Sequence, residues 1–371
     1  MARSSDLTRW LDQNVGAVIA QVLARRGSRP PPQKPRRIVF LQPTAIGDTL
    51  ISSGAITAIA KAHPTAELTL VHGPSNAAAV KMIAARLAGV KLGFNNPIAA
   101  GRALRALQPD MVIDLCPWPV ATALAARLSG AWTIGFQPAF GKRGMLFDRK
   151  VPHLTERHEI ENLSAMSEAL GAGPAAQMAI TDLSGSLPEG LDPSRLILLH
   201  TAAGGVRALP KSWPVAHWAA LMQGLAARGW QLGLTGVPAD ATTVDPILAA
   251  AGLPREVARS FCGKLSLAEL AALLTKVPLL VSIDTGVLHL SAAVQGAAIG
   301  LHGPTKAARW GSVSSRAEGL DAPHPAAGYI NYGWETHPQE RDIMRTLEPD
   351  RVLAAIDAKL GVQAGQGDAN A

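Results

Sequence analysis

From residue 37 onward the chain repeats one pattern: a strand-sized apolar run, a short loop, then an Ala-rich helical stretch. The runs are RIVFL (37–41), ELTLVH (67–72), VKLGF (90–94), MVIDLC (111–116) and WTIGF (132–136). Strands that are apolar throughout, rather than on alternate residues, suit a parallel sheet covered on both faces by helices. A looser region follows near residues 173–195, containing LSGSLPEGLDPS, and reads as a linker. Then the pattern restarts with LILLHT (196–201), WQLGLTG (230–236), PLLVSID (278–284) and AAIGLHG (297–303). Right-handed crossovers make each half a Rossmann-like, doubly wound α/β domain. The strands' carboxyl-end loops then face a cleft between the two.

The 371 residues exceed what one core usually holds. The expected divisions are 1–35, a helical and basic Pro-rich extension; 36–180 and 190–345, the two sheet domains; and 346–371, a C-terminal helix and tail. In RTLEPDRVLAAIDAKL, Thr or Glu precedes Pro349, and Val352, Leu353, Ile356 and Leu360 share one face.

Composition narrows the partners. A hydrophobic fraction of 48% with 17% charged residues is globular, not disordered. A net charge of +7 favours anionic partners, while aromatics at 4% argue against nucleic acid held by stacking. Cys116 and Cys262 lie far apart and form no CxxC, which points to a reducing compartment without zinc or disulfides. VGAVIAQVLA (15–24) lacks the flanks of a signal peptide, so a cytoplasmic location is expected. Residues 6–26 have Trp10, Leu11, Val15, Val18, Ile19, Val22 and Leu23 at helical spacing, followed by RRGSRPPPQKPRR with Arg25, Arg26, Arg29, Lys34, Arg36 and Arg37. Such a helix can pack on the body or rest on an anionic membrane; Asp6 and Asp12 weaken the second reading.

Four stretches carry candidate chemistry. In IGDTL, Gly47 and Asp48 follow the first strand, where Asp48 is either a helix cap or a base. In SIDTGVLHLSAA, Asp284 ends a strand, Thr285 and Gly286 open a helix, and His289 lies one turn in. A helix start offers free N–H groups to a phosphate, and Gly286 permits close approach; a capping Asp-Thr pair with a core histidine is the competing reading. In HTAAGGVRALPKSWPVAHW, Lys211 is either a point charge for an anionic ligand or a solvated lysine. In LTGVPAD, Asp240 can take ribose hydroxyls or cap a helix. No GxxxxGK[ST], GxGxxG after strand one, GxSxG, HExxH or Asp-x-Asp pair is present, so no metal clamp for a diphosphate is expected.

In order, RRIVFLQPTAIGDTL, PKSWPVAHW, and SIDTGVLHLSAA followed by GLHGPT resemble glycosyltransferase family 9, the ADP-heptose:lipopolysaccharide heptosyltransferases. RLSGAWTIGFQPAFGKRGMLFDRKVPHLTERHEIEN is similar to the family's segment before the linker helix. The resemblance spans roughly residues 36–360. It implies a GT-B fold, with the acceptor site in the first domain, the nucleotide-sugar site in the second and catalysis between. It implies inverting, metal-independent transfer without a cofactor. Asp48 matches the catalytic base; Lys211, Asp284, Thr285, Gly286 and His289 match donor-binding positions, with Asp240 near the ribose. Thr44, Gly47 and Arg143 fall on the acceptor side. Domain closure would bring base to donor and exclude water. The implied partners are a nucleotide sugar, an anionic glycolipid or glycan, and the inner membrane surface as a peripheral contact; nucleic acid is not among them.

The chain departs from the family pattern at Gln42, where a basic residue is common, and at Asp114-Leu115-Cys116-Pro117-Trp118-Pro119-Val120-Ala121, which lacks the usual basic residue. It also lacks the cysteines common near the family's C-terminus. The first two changes bear on the acceptor, while Lys142, Arg143, Arg149 and Lys150 still suit a phosphorylated or carboxylated one. Two other readings stay open: a degenerate member that binds nucleotide sugar or scaffolds an assembly, and a GT-B epimerase or hydrolase that consumes donor without acceptor.

Overall fold

The computed structural model describes residues 6–24, 29–181, 183, 185, 191–204 and 207–361. The chain forms two compact units, Met1–Asp182 and Leu183–Ala371. The first holds strands β1 (Arg37–Gln42), β2 (Glu67–His72), β3 (Ala88–Lys91), β4 (Met111–Asp114), β5 (Trp132–Gln137) and β6 (Arg149–Pro152), all parallel, in the order β3-β2-β1-β4-β5-β6. The second holds β7 (Leu196–His200), β8 (Gln231–Leu234), β9 (Ala258–Ser260), β10 (Leu279–Ile283), β11 (Ala298–His302) and β12 (Ala317–Asp321), also parallel, in the order β12-β11-β10-β7-β8-β9. Both sheets reverse their winding beside their first strand, the topological switch point where α/β folds place ligands.

Helices α1 (Asp6–Val22), α2 (Ile46–Ala62), α3 (Ala77–Met82), α4 (Pro97–Ala106), α5 (Val120–Ser129) and α6 (Glu159–Ala169) belong to the first unit. Helices α7 (Ala208–Lys211), α8 (Val215–Ala227), α9 (Ala241–Ala251), α10 (Leu267–Leu274), α11 (Gly286–Ala293), α12 (Ala307–Trp310) and α13 (Pro349–Leu360) belong to the second. Local chemistry starts several of them. Asn96 accepts the N–H groups of Ile98 and Ala99 ahead of Pro97, and Ser266 and Glu269 cap α10 reciprocally. Gly54 lets α2 lie against the chain at Gln177, whose carbonyl oxygen sits 2.0 Å from where a Cβ would stand.

The C-terminal helix is part of the second core. Val352 and Ile356 of α13 are fully buried against α8, although neither Thr346 nor Glu348 caps it by side chain. Trp213 donates its indole N–H to the Leu347 carbonyl and meets Trp218 edge-on, with ring centroids 4.9 Å apart.

The N-terminal helix is likewise built into the first unit, on a different face from the one its periodicity suggests. Asp12 accepts N–H bonds from Val120 and Ala121, both 2.9 Å, at the start of α5. Gly16 approaches Val120 closely, and Ile19, Ala20 and Leu23 join the core. Trp10, Leu11, Val15, Val18 and Val22 instead face outward. Beyond the helix, Arg29 pairs with Asp148 at 2.9 Å, and its carbonyl accepts the Trp132 indole N–H. Of the basic linker residues, Arg25 and Arg26 lie outside the described residues.

Candidate functional site

The first unit presents Thr44, Gly47 and Asp48 at the carboxyl end of β1, where α2 begins. Asp48 is the third residue of the helix rather than its N-cap. Its Oδ2 accepts the Ala45 N–H at 3.2 Å, and the side chain remains half-exposed. A carboxylate in the first turn suits the positive end of the helix dipole and is oriented by that bond. Beneath it lies a buried polar lattice. Thr44 Oγ1 donates to Gln42 Oε1 at 2.6 Å, and Gln42 Nε2 donates to Ser52 Oγ at 2.7 Å. Asn76 donates to the Gln42 carbonyl and to Thr49 Oγ1. Gln42 is thus a support for the loop and not a surface that meets an acceptor, because its amide is buried and committed to these partners.

Arg143, expected on the acceptor side, is corrected by the structure. It is 1% exposed, and its guanidinium is occupied by Asp114 at 2.6 Å and by the carbonyls of Pro117, Pro119 and Phe136. An arginine this committed braces the loop after β4 and offers no charge to a ligand. Burial raises the Asp114 carboxyl against the pull of Arg143, and burial with Asp114 nearby raises the Cys116 thiol well above its ordinary value. Cys116 is therefore an un-ionised, structural thiol. Lys142, Arg149 and Lys150 remain exposed.

In the second unit, β10 ends at Ile283 and delivers Asp284 between Lys211 and two histidines, His289 and His302. Asp284 Oδ2 binds Lys211 Nζ at 2.7 Å, and Oδ1 lies 3.9 Å from His289 Nε2. Burial would raise this carboxyl, but Lys211, His302 and His289 together hold it well below the ordinary range, so it stays ionised. Lys211 is no solvated lysine: it comes from the short turn α7 and reaches back to Asp284. Nor is Asp284 a cap. Thr285 is the N-cap residue, extended in backbone, with its hydroxyl 3.3 Å from Ser282 Oγ and no side-chain bond to the helix. Thr285, Gly286 and Val287 are half-exposed, so the amino end of α11 is reachable beside Lys211.

Asp240 belongs to a neighbouring group. Its Oδ2 accepts the Val237 N–H at 2.8 Å, tightening the turn before α9. Close by, the buried His200 bonds Thr235 Oγ1 at 2.9 Å; burial drives its imidazole down to about 4 against the attraction of Asp240. His200, Thr201, Thr235, His302 and Thr305 are buried polar residues at or just past the ends of β7, β8 and β11. The motif reading passed over all five as site residues. The available signal was a polar residue closing each apolar run, as in LILLHT, QLGLTG and AIGLHGPT. Among the described residues, no group of three or more His, Cys, Asp or Glu is placed to hold a metal ion.

Solved structures share this architecture. E. coli ADP-heptose lipopolysaccharide heptosyltransferase II aligns with a TM-score of 0.66 at 19% identity, covering 87% of this chain and 98% of that one. E. coli heptosyltransferase WaaC, solved with ADP, aligns with a TM-score of 0.65 at 21% identity, covering 87% and 99%. The fold is therefore GT-B, with two Rossmann-like units. The profile of glycosyltransferase family 9 (heptosyltransferase) matches residues 98–328, and the chain belongs to that family. Lipopolysaccharide heptosyltransferase 1 of E. coli K12 is 27% identical over 300 residues, covering 72% of this chain and 88% of that protein. The match to lipopolysaccharide heptosyltransferase 1 of Pseudomonas aeruginosa is 29% identical over 182 residues, spanning 44% of this chain and about half (48%) of that relative.

Proposed function

We propose that the chain is an inverting glycosyltransferase that moves a heptose, or a related sugar, from a nucleotide donor to a lipopolysaccharide-type or other anionic surface glycan. ADP-heptose is the proposed donor, and transfer proceeds without a metal or cofactor. The observation that carries the reading is the second-unit cluster: Lys211 held by Asp284 beside the open amino end of α11. It lies in a family named for heptosyl transfer, one of whose solved structures carries ADP.

Each residue has a chemical task in this reading. The departing nucleotide diphosphate gains negative charge as the anomeric carbon develops oxocarbenium character. The N–H groups at Gly286 and Val287 and the Lys211 ammonium meet that charge without reorganising at the moment of reaction. Asp284 fixes Lys211 in place, and Lys211, helped by His302 and His289, keeps Asp284 ionised. Asp240, beside His200 and Thr235, takes the ribose side of the nucleotide. Asp48, oriented by the Ala45 N–H, removes the proton from the acceptor hydroxyl as it attacks from the face opposite the leaving group. A cytoplasmic site, on the inner face of the membrane that carries the acceptor, completes the proposal.

The test is ADP release from ADP-heptose, with and without lipopolysaccharide core from a heptose-deficient strain, and with EDTA present in a parallel reaction. Acceptor-dependent release that survives EDTA supports the reading. Release without acceptor makes the chain a hydrolase, and failure to bind ADP-heptose removes the donor assignment.

A further inference from the structure

Helix α1 carries an apolar ridge that no described part of the chain covers. Trp10, Leu11, Val15, Val18 and Val22 recur at helical spacing, and Val18 and Val22 are 59% and 78% exposed. The ridge is not a loose feature, because the opposite face is locked. Asp12 accepts two backbone N–H bonds at the start of α5, Gly16 seats against Val120, and Ala20 is fully buried. These contacts set the helix's rotation, and that rotation turns the five apolar side chains outward.

Charge says what the ridge faces. Among the described side chains of α1 the only carboxylate is Asp12, and it is turned inward to the start of α5. The 3-10 turn Arg143–Leu146 packs on α1 and adds the exposed Met145, and the exposed Lys142 directly precedes it. In sequence the helix runs into Arg25 and Arg26, in a chain of net charge +7. An apolar ridge with an end tryptophan, beside an exposed lysine and followed in sequence by two arginines, is the chemistry of a helix lying in the plane of an anionic bilayer. A second copy fits less well. Five apolar side chains are far fewer than the about 20–30 residues that each partner brings to a standard protein interface.

We infer that α1, together with Lys142 and Met145, is a docking surface for an anionic phospholipid bilayer. Through Asp12 and Gly16 the bilayer contact is rigidly tied to the unit that carries Asp48. The inference rests on the proposed lipid-borne acceptor for its purpose, though its observations are independent of it.

The experiment is co-sedimentation of the full chain with vesicles of phosphatidylglycerol and phosphatidylethanolamine, and with vesicles of phosphatidylcholine alone. The wild type should sediment with the anionic vesicles, less so as salt rises, and weakly with phosphatidylcholine. Val15→Glu with Val18→Glu should lower the anionic partition by roughly tenfold, and Lys142→Ala by about fivefold. Both valines are exposed, so thermal unfolding and transfer to a soluble acceptor fragment should be unchanged in the double variant. Equal sedimentation of wild type and double variant, or no sedimentation of the wild type, overturns the inference. A lipid-free dimer that the double variant abolishes also overturns it and assigns the ridge to a second copy. Vesicle binding needs no turnover, so its failure is separable from failure of the transferase reading.

Discussion

His200 makes the second unit acid-sensitive by an amount that follows from its surroundings. In the folded chain its imidazole is buried at the end of β7, bonded to Thr235, and titrates at about 4 against 6.5 for an ordinary histidine. The unfolded chain therefore takes up this proton first as pH falls. The contribution to stability is complete above pH 6.5, is lost between 6.5 and 4, and is constant below 4. The slope is about 1.4 kcal/mol per pH unit, and the whole loss about 3 kcal/mol. His200→Asn keeps a polar atom for the Thr235 hydroxyl and removes the titration. Urea unfolding of both proteins at pH 7 and pH 5 reads the difference. The wild type should lose about 2 kcal/mol more than the variant over that interval. The variant's overall stability will also drop, because the ring leaves a cavity, but that term does not depend on pH. Equal pH slopes in the two proteins would refute the buried, neutral imidazole.

Other outcomes follow from the same packing. Lys211→Met should weaken ADP binding by about tenfold or more, since it removes a charge-assisted contact worth roughly 1.5–3 kcal/mol, and calorimetric titration with ADP reads it. Arg143→Met should destabilise the first unit by about 3–5 kcal/mol, because Asp114 is left buried without its partner; pairing it with Asp114→Asn should restore much of the loss in urea unfolding. Gly54→Ala drives a methyl group into the Gln177 carbonyl and should cost about 1–3 kcal/mol in the same assay.

The architecture was legible where strands are buried on both faces. RIVFL, MVIDLC, LILLHT, PLLVSID and AAIGLHG became β1, β4, β7, β10 and β11 within a residue or two, because continuous burial demands a continuous apolar run. The edges were not legible. β6 (RKVP), β9 (ARS) and β12 (AEGLD) expose one face or more, so polar residues interrupt them and no apolar run marks them. The edge strand β3 likewise falls at Ala88–Lys91, not at residues 90–94.

In the site, Asp284, Lys211 and His289 were named from motif order, and the structure brings them together. Arg143 shows the limit of that reading. A basic residue in a basic stretch looks available to a ligand, and only the tertiary packing of Asp114 and three carbonyls reveals that its charge is spent inside the unit. The ridge on α1 shows the reverse: helical spacing marked an apolar face, but the buried face was chosen by Asp12 and Gly16, whose roles no periodicity records.

The claim that Asp48 is the base is tested most directly by Asp48→Asn. Transfer from ADP-heptose to the heptose-deficient core would be followed by ADP release, alongside a direct measurement of ADP-heptose affinity. A loss of about 10²–10⁴-fold in turnover is expected, with donor affinity within about twofold of wild type, because the base acts on the acceptor and not on the donor. Near-normal turnover in the variant would contradict the account and leave Asp48 as a residue that only steadies the start of α2.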